Sequence, residues 1–152
     1  MLTDLPCPKA NFSKAELSDA KLCGATLTET SFVEAVVRNA DFTKADLSGA
    51  VLQGADLTAA DLSGADLTGT KFAGALFNDP VQATNANVSA FPMGNRSSVQ
   101  TGSIVFAAGF ILRVSGDHPA SADHTYYRSS AGSWNAGTKQ GHFTKNEIRL
   151  LS

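Results

Sequence analysis

The stretch ADLTAADLSGADLTGT, residues 55–70, repeats one pattern three times, and its leucines recur every five residues at Leu57, Leu62 and Leu67. A β-strand turns successive side chains to opposite faces, and an α-helix rotates by about 100° per residue. Neither backbone keeps a five-residue period on one side. The chain can do so only if it turns a corner in each unit. The stretch therefore predicts a flat-sided coil with an apolar interior.

The five-residue frame continues without interruption from Ala10 to Asp79. Its first position is always small, and its third position is always large and apolar. Such fixed-period self-similarity is typical of a solenoid, and four units close a square coil of about twenty residues, stacked at about 4.8 Å. The predicted core consists of the third-position residues: Phe12, Leu17, Leu22, Leu27, Phe32, Val37, Phe42, Leu47, Leu52, Leu57, Leu62, Leu67, Phe72 and Phe77.

This pattern resembles the pentapeptide-repeat proteins, whose motif is a small residue, Asp or Asn, Leu or Phe, and two variable residues. Ala55-Asp56-Leu57-Thr58-Ala59 and Ala65-Asp66-Leu67-Thr68-Gly69 match that motif residue by residue. The resemblance covers a little under half of the chain. It implies a right-handed quadrilateral parallel β-helix of about three and a half coils. The expected fold class is all-β, with this helix followed by a small β-barrel-like domain.

The frame and the composition divide the chain into four predicted parts. Residues 1–9 are expected to cap the amino end of the coil, and residues 10–79 to form the β-helix. Residues 80–97 are expected to be a cap or linker, with one further unit in a shifted frame at 86–90. Residues 98–152 contain short β-rich stretches and glycine turns, which predict a small all-β domain of vaguely SH3-like order. A β domain that folds only as an oligomer is the alternative.

Several function classes are excluded by composition. No apolar run approaches the roughly 18 residues of a membrane span. Cys7 and Cys23 form neither a disulfide framework nor a metal-ligand pair by spacing, and the three histidines match no ligand motif. No nucleophile elbow or phosphate-binding loop is present. We therefore expect no enzyme, no cofactor and no metal. The amino terminus lacks a secretion signal, which favours a cytoplasmic protein, or a virion component if a phage encodes it.

The charge distribution points to a protein partner rather than to nucleic acid. The net charge of −2 argues against direct nucleic-acid binding. Residues 10–79 hold ten acidic and five basic side chains, whereas residues 80–152 hold three and six. The twenty-residue step stacks second-position aspartates on the walls of the coil. They form either an acidic surface for a basic partner or a solvated consensus position: Asp41, Asp46, Asp56, Asp61 and Asp66.

The carboxy-terminal part holds a second candidate surface. Tyr126, Tyr127, Arg128 and Trp134 combine aromatic faces with a cation, which suits recognition of a sugar or peptide. The same side chains are equally suited to form the core of a small β domain.

Three functional hypotheses follow. The first is a non-catalytic binding or assembly protein, in which a rigid β-helical spacer carries a small recognition or oligomerisation module. The second is implied by the resemblance, since some pentapeptide-repeat proteins imitate B-DNA and bind DNA gyrase, but this coil is short and lacks their helical dimerisation tail. The third is a phage or virion component, such as a fibre tip or capsid decoration.

Overall fold

A computed structural model describes residues 4, 6–77, 79–94, 100, 102–117, 124–127, 141–144 and 148–152. Its extended strands are β1 (Val81–Gln82), β2 (Ile104–Ala107), β3 (Phe110–Asp117), β4 (His124–Tyr127), β5 (Gly141–Thr144) and β6 (Ile148–Leu150). Within these described residues, no helix has the length and apolarity to cross a membrane.

Residues 6–77 and 79–90 form a four-sided coil, and each side is a stack of parallel β-bridges between second-position residues. Bridged residues lie twenty positions apart through most of the coil, for example Asn11 with Ser31. We number the sides as wall 1 (Asn11, Ser31, Val51, Lys71), wall 2 (Glu16, Val36, Asp56, Leu76), wall 3 (Lys21, Asp41, Asp61, Gln82) and wall 4 (Pro6, Thr26, Asp46, Asp66, Asn87).

The corners use backbone angles in the left-handed region. The fifth residue of every unit from Asp4 to Gly74 has a positive φ. Glycine adopts such angles readily, but Lys14 and Glu34 hold φ values of 61° and 57° in the same role. The corner conformation is therefore imposed by closure of the coil. Each corner is also closed by a hydrogen bond from a first-position N–H to the third-position carbonyl three residues back, such as Ala35 to Phe32 at 3.0 Å.

The interior of the coil is filled by the third-position side chains. From Leu22 to Phe72 these side chains are 0–1% exposed, and Phe77 is 4% exposed. Phe12 and Leu17 are only partly buried. They belong to the first coil, and no described coil lies beneath them to complete their packing.

The coil begins earlier than the predicted boundary at residue 10. Pro6 bridges Thr26, and the N–H groups of Cys7 and Lys9 donate to the carbonyls of Thr26 and Thr28 at 2.8 Å. Residues 6–9 therefore extend the ladder of wall 4, which differs from the cap expected over residues 1–9. Proline is tolerated here because second- and fourth-position N–H groups make no bond to the coil above, and no described coil lies below.

The coil also ends later than expected. Gln82 bridges Asp61 and Asn87 bridges Asp66, so both partners lie 21 residues apart. One inserted residue shifts the frame, and two further units follow over residues 81–85 and 86–90. The second corresponds to the shifted unit expected at 86–90, and the first was not expected. Val81 is fully buried and Val88 is 8% exposed at this end.

The carboxy-terminal strands form an antiparallel sheet of order β5-β4-β3-β2-β6, in which β1 also pairs with β3. The strands β5 and β6 end this order, so the described pairing is that of an open sheet rather than the expected barrel. A bulge between Val114 and Gly116 separates the half of β3 that pairs with β2 from the half that pairs with β4.

This sheet closes the coil, whereas the sequence predicts a separate domain beyond a linker. Ile104, Ile111 and Leu151 belong to the same apolar cluster as the coil interior. Val81 of the coil pairs with Ile111, which covers a strand edge that would otherwise be open. The guanidinium of Arg113 lies 5.1 Å from the ring centre of Phe77 and donates to the carbonyl of Ala75.

Candidate partner-binding surface

Four aspartates lie on two adjacent walls of the coil. Asp41 bridges Asp61 on wall 3, and Asp46 bridges Asp66 on wall 4. Walls 3 and 4 meet at a corner that carries Lys44 in the lower coil. We call these four residues the acidic edge. They place two carboxylates on each of two successive coils, about 4.8 Å apart along the axis.

The backbone holds each carboxylate of the acidic edge in one orientation. In all four, Oδ1 accepts a hydrogen bond from the N–H group two residues later, at 2.9–3.0 Å. In three of them the hydroxyl of that same residue also donates, at 2.6–2.7 Å. These Asx turns tie one oxygen to the corner. The Oδ2 atoms have no protein partner among the described residues, so they are the oxygens that a partner can reach.

The Asx turn requires an oxygen acceptor but not a charge. Asn11 and Asn87 also occupy second positions, and their side-chain oxygens accept from the N–H groups of Ser13 and Ser89 at 3.0 and 3.2 Å. Asparagine therefore supports the same corner. The Asx turn explains why Asp or Asn recurs at the second position. It does not explain why four of these residues carry a negative charge.

In two residues of the acidic edge, Asp41 and Asp66, the hydrogen bonds also favour the ionised carboxylate. The hydroxyl and the N–H of Thr43 lower the pKa of Asp41 below its ordinary value, against a smaller opposing effect of burial. The hydroxyl and the N–H of Thr68 lower the pKa of Asp66 in the same way, with a further contribution from Asn87. Both carboxylates are therefore negatively charged at neutral pH.

Two lysines lie near the acidic edge. In the lower coil, Lys21 lies one step beneath Asp41 on wall 3, and Lys44 occupies the corner. The corresponding corner of the upper coil is Gly64, and the side chain of Lys44 runs along it, since a Cβ at Gly64 would lie 3.3 Å from Lys44 Cγ. A shallow groove of about 380 Å³ beside Asp61 is also lined by Asp79 and Gln82. Asp79 therefore adds a third carboxylate to the upper coil, and Lys44 lies between the two coils of the acidic edge.

Asp56, which the sequence groups with the candidate acidic residues, does not belong to this edge. It lies on wall 2, and its Oδ2 accepts a hydrogen bond from Nε of Arg38 at 2.6 Å. Its side chain is 12% exposed, whereas that of Arg38 is 59% exposed. Burial raises the pKa of Asp56, but the hydrogen bonds from Thr58 and Arg38 outweigh it, so the pKa is lowered. Asp56 is therefore a structural residue that joins two successive coils.

The second candidate surface lies largely outside the described residues. Tyr126 and Tyr127 are on β4, where they pair with Gly116 and Val114 of β3 and with His142 and Gly141 of β5. Arg128 and Trp134 lie outside the described residues. Where the structure is described, no group of three His, Cys, Asp or Glu side chains is arranged to hold a metal ion.

Asp79 is the residue of this region that the sequence analysis did not include. It lines the groove beside Asp61 at the point where the inserted residue shifts the frame. A break in a repeat does not reveal which wall the chain rejoins, so no local signal could have placed it there.

The sequence profile for eight successive pentapeptide repeats matches this chain twice, over residues 10–49 and over the overlapping residues 40–79. Residues 10–79 are pentapeptide repeats. The described residues are all-β, and this pentapeptide-repeat segment is the right-handed quadrilateral β-helix that the motif implies. Proteins built from these repeats are in general non-catalytic structural or binding proteins, and they often mediate protein interactions.

Three solved pentapeptide-repeat proteins are similar to this chain. One comes from the thylakoid lumen of Arabidopsis thaliana, with 26% identity over 56% of this chain and 62% of that protein, and a TM-score of 0.29. One comes from the cyanobacterium Cyanothece, with 29% identity over 55% of this chain and 60% of that protein, and a TM-score of 0.27.

The third is HetL from the cyanobacterium Nostoc, which is involved in the regulation of heterocyst differentiation. It is 26% identical over 62% of this chain and 47% of its own length, with a TM-score of 0.27. The chain thus spans less than two thirds of each of these three proteins. No curated protein matches the chain.

Proposed function

We propose that this protein is a non-catalytic binding or assembly protein, and that its β-helix is a rigid post presenting the acidic edge to a basic protein partner. The observation that carries this proposal is the set of four carboxylates on two adjacent walls, each oriented by the backbone through its Oδ1 atom.

Rigidity favours this role. The third-position side chains from Leu22 to Phe72 are almost fully buried, and the carboxylates are held by short hydrogen bonds. A pre-organised surface loses little conformational entropy when a partner binds. Clustered charges also raise the rate of association and make binding sensitive to salt.

The carboxy-terminal sheet is proposed to provide a second contact through Tyr126, Tyr127, Arg128 and Trp134. Among the described strands, β4 pairs with β3 and β5, whereas closure of the coil uses β1, β2, β6 and the first half of β3. The strand that carries the two tyrosines is therefore not needed to cover the coil.

The experiment compares two variants with the same change in net charge. Asp61→Asn with Asp66→Asn removes two charges from the acidic edge and keeps the Asx acceptors. Glu29→Gln with Glu34→Gln removes two charges from corners next to wall 1. Partners are captured by cross-linking from the native host, identified, purified and titrated against each variant.

We expect the aspartate pair to weaken binding at least tenfold, and the glutamate pair to change it less than about threefold. The proposal would be refuted if the aspartate pair left the affinity for every captured partner unchanged. Sedimentation of the purified protein as a trimer would favour the virion alternative instead.

DNA mimicry is tested separately by gyrase supercoiling in the presence of excess protein. The coil of about four turns is roughly 20 Å long, against about 34 Å for one turn of B-DNA. We therefore expect no effect on supercoiling. If the native protein inhibits supercoiling and the aspartate pair does not, gyrase rather than another basic protein would be the partner of the acidic edge.

A further inference from the structure

Lys44 lies at the centre of the acidic edge. It is the fifth-position residue at the corner between walls 3 and 4, in the lower of the two coils that carry the four aspartates. Lys44 is exposed, and a Cβ placed on Gly64 in the coil above would lie 3.3 Å from its Cγ. The aliphatic part of the lysine therefore extends over Gly64, from the lower coil to the upper one.

Lys44 differs from the other lysines that occupy corners of the coil. Lys9 and Lys14 each pair with a glutamate one coil above, at Nζ–Oε2 distances of 3.7 and 3.6 Å. The residue one coil above Lys44 is Gly64 instead. In the part of the chain that the structure describes, the ammonium of Lys44 forms no ion pair, although it belongs to a corner flanked by carboxylates.

The corner itself does not require a lysine. Lys44 holds a φ of 58°, and the residues at the same corner of the coils below and above are Gly24 and Gly64, with φ values of 69° and 70°. Glycine adopts such angles at a lower cost than lysine does. One structural role remains for Lys44, which is to reduce repulsion among the four aspartates.

The acidic edge thus combines several acceptors with one donor. The free Oδ2 atoms of ionised aspartates can only accept hydrogen bonds, whereas the ammonium of Lys44 can only donate them. A partner surface that is uniformly basic would place a like charge opposite Lys44. Like charges that face each other across an interface weaken association and so exclude unsuitable partners.

We propose that Lys44 determines which basic partner the acidic edge accepts, namely one that carries a carboxylate between its basic groups. The inference rests on the proposed function, because it concerns the centre of the same surface. The basic side chains of the partner contact the Oδ2 atoms of the aspartates. The partner's carboxylate accepts a hydrogen bond from Nζ of Lys44. Uniformly basic surfaces bind less tightly, although the four aspartates alone would attract them.

Two synthetic peptides serve as probes, each acetylated at its amino end and amidated at its carboxy end. One has the sequence RSRSESRSR, and the other has the sequence RSRSQSRSR. Alternate side chains of an extended chain lie on one face, so both peptides present arginines on either side of the central residue. They differ only in whether that residue carries a carboxylate.

The measured quantity is the ratio of the dissociation constants of the two peptides for the full chain, from NMR titrations at an ionic strength of about 0.1 M. Exposed charges more than about 10 Å apart are largely screened under these conditions. Lys44→Gln should shift the ratio by about three- to fivefold in favour of the glutamine peptide, as expected for loss of an exposed ion pair. Lys44→Arg keeps the donor and the charge, so it should leave the ratio close to native.

Lys21→Gln is the matched control. It removes the same charge from the residue beneath Asp41, at the border of the acidic edge rather than at its centre. We expect it to shift the ratio by less than about 1.5-fold. An unchanged ratio in Lys44→Gln, or an equal shift in Lys21→Gln, would overturn the proposal. A fall in the urea midpoint of Lys44→Gly that accompanies an unchanged ratio would assign Lys44 to the relief of repulsion among the aspartates instead.

The double variant Asp61→Asn with Asp66→Asn distinguishes this proposal from the proposed function. If it weakens the binding of both peptides while Lys44→Gln leaves their ratio unchanged, the acidic edge binds basic groups and only the role of Lys44 is wrong. If it leaves the binding of both peptides unchanged, the acidic edge is not the binding surface and both proposals fail.

Discussion

Replacement of Asp56 should destabilise the coil more than replacement of any aspartate of the acidic edge. Its Oδ1 accepts from the N–H and the hydroxyl of Thr58 at 3.0 and 2.6 Å, and its Oδ2 accepts from Arg38 of the coil below at 2.6 Å. A hydrogen bond contributes about 0.5–1.5 kcal/mol, and one to a charged group about 1.5–3 kcal/mol. Arg38 is largely exposed, so the ion pair belongs at the low end of that range.

Asp46→Ala serves as the matched reference, because Asp46 forms the same Asx turn with Ser48 but no ion pair. We expect a loss of about 1 kcal/mol in the free energy of unfolding for Asp46→Ala and about 2–3 kcal/mol for Asp56→Ala. Asp56→Asn keeps the turn and loses the charge, so it should cost about 1 kcal/mol. Urea denaturation measures the free energy of unfolding of all three variants. The values can be compared if the dependence of that free energy on urea concentration is the same in each variant.

A double-mutant cycle of Asp56→Asn with Arg38→Ala isolates the pair, and we expect a coupling of about 0.5–1 kcal/mol. Equal losses for Asp56→Ala and Asp46→Ala, together with no coupling in the cycle, would refute the assignment of Asp56 as a residue that joins two coils.

Three further predictions concern the interior, its end and the corners. Thr70→Val should lower the free energy of unfolding by about 1 kcal/mol in urea titrations, because the buried hydroxyl donates to the carbonyl of Leu47 at 2.8 Å; an unchanged midpoint would contradict this. Phe72→Ala should cost about 3–5 kcal/mol by the same measurement and Phe12→Ala clearly less, since only Phe72 is fully buried; equal costs would show that the first coil is as well packed as the others. Asp41 and Asp66 have lowered pKa values in the folded state, so their stabilisation is complete above the ordinary value of 3.8 and is lost as the pH falls through the folded values. Denaturation midpoints from pH 7 to pH 2 should therefore fall less steeply for Asp41→Asn with Asp66→Asn than for the native protein, and parallel curves would refute that linkage.

The coil itself could be predicted from the sequence because its determinant is local and repeated. A small first residue and a large apolar third residue recur in every unit from Ala10 to Phe77. Each unit needs only its own corner and the coil beneath it, so the period alone indicates which side chains face inward. The stacking of Asp41 with Asp61 and of Asp46 with Asp66 follows from the same period.

The candidate site was only partly accessible in this way. The period places Asp56 on a third wall, but it does not reveal that Arg38 occupies its Oδ2 atom. That contact joins different coils and depends on the side-chain conformation of a fourth-position residue, for which the repeat specifies no residue type. The second hydrogen bond to Oδ1 also depends on a Ser or Thr hydroxyl two residues later, at a position that the motif leaves variable.

The sequence by itself determined the period, the inward positions and the four walls of the coil, because these depend on interactions within a unit and between units twenty residues apart. The tertiary structure alone decided where the coil begins and ends. Pro6 joins wall 4 through hydrogen bonds made by its neighbours, Gln82 rejoins wall 3 after an inserted residue, and Val81 pairs with Ile111. The apolar interior and the open strand edge at the end of the coil are covered by segments that are distant in the chain. No local sequence pattern indicates which segment covers them.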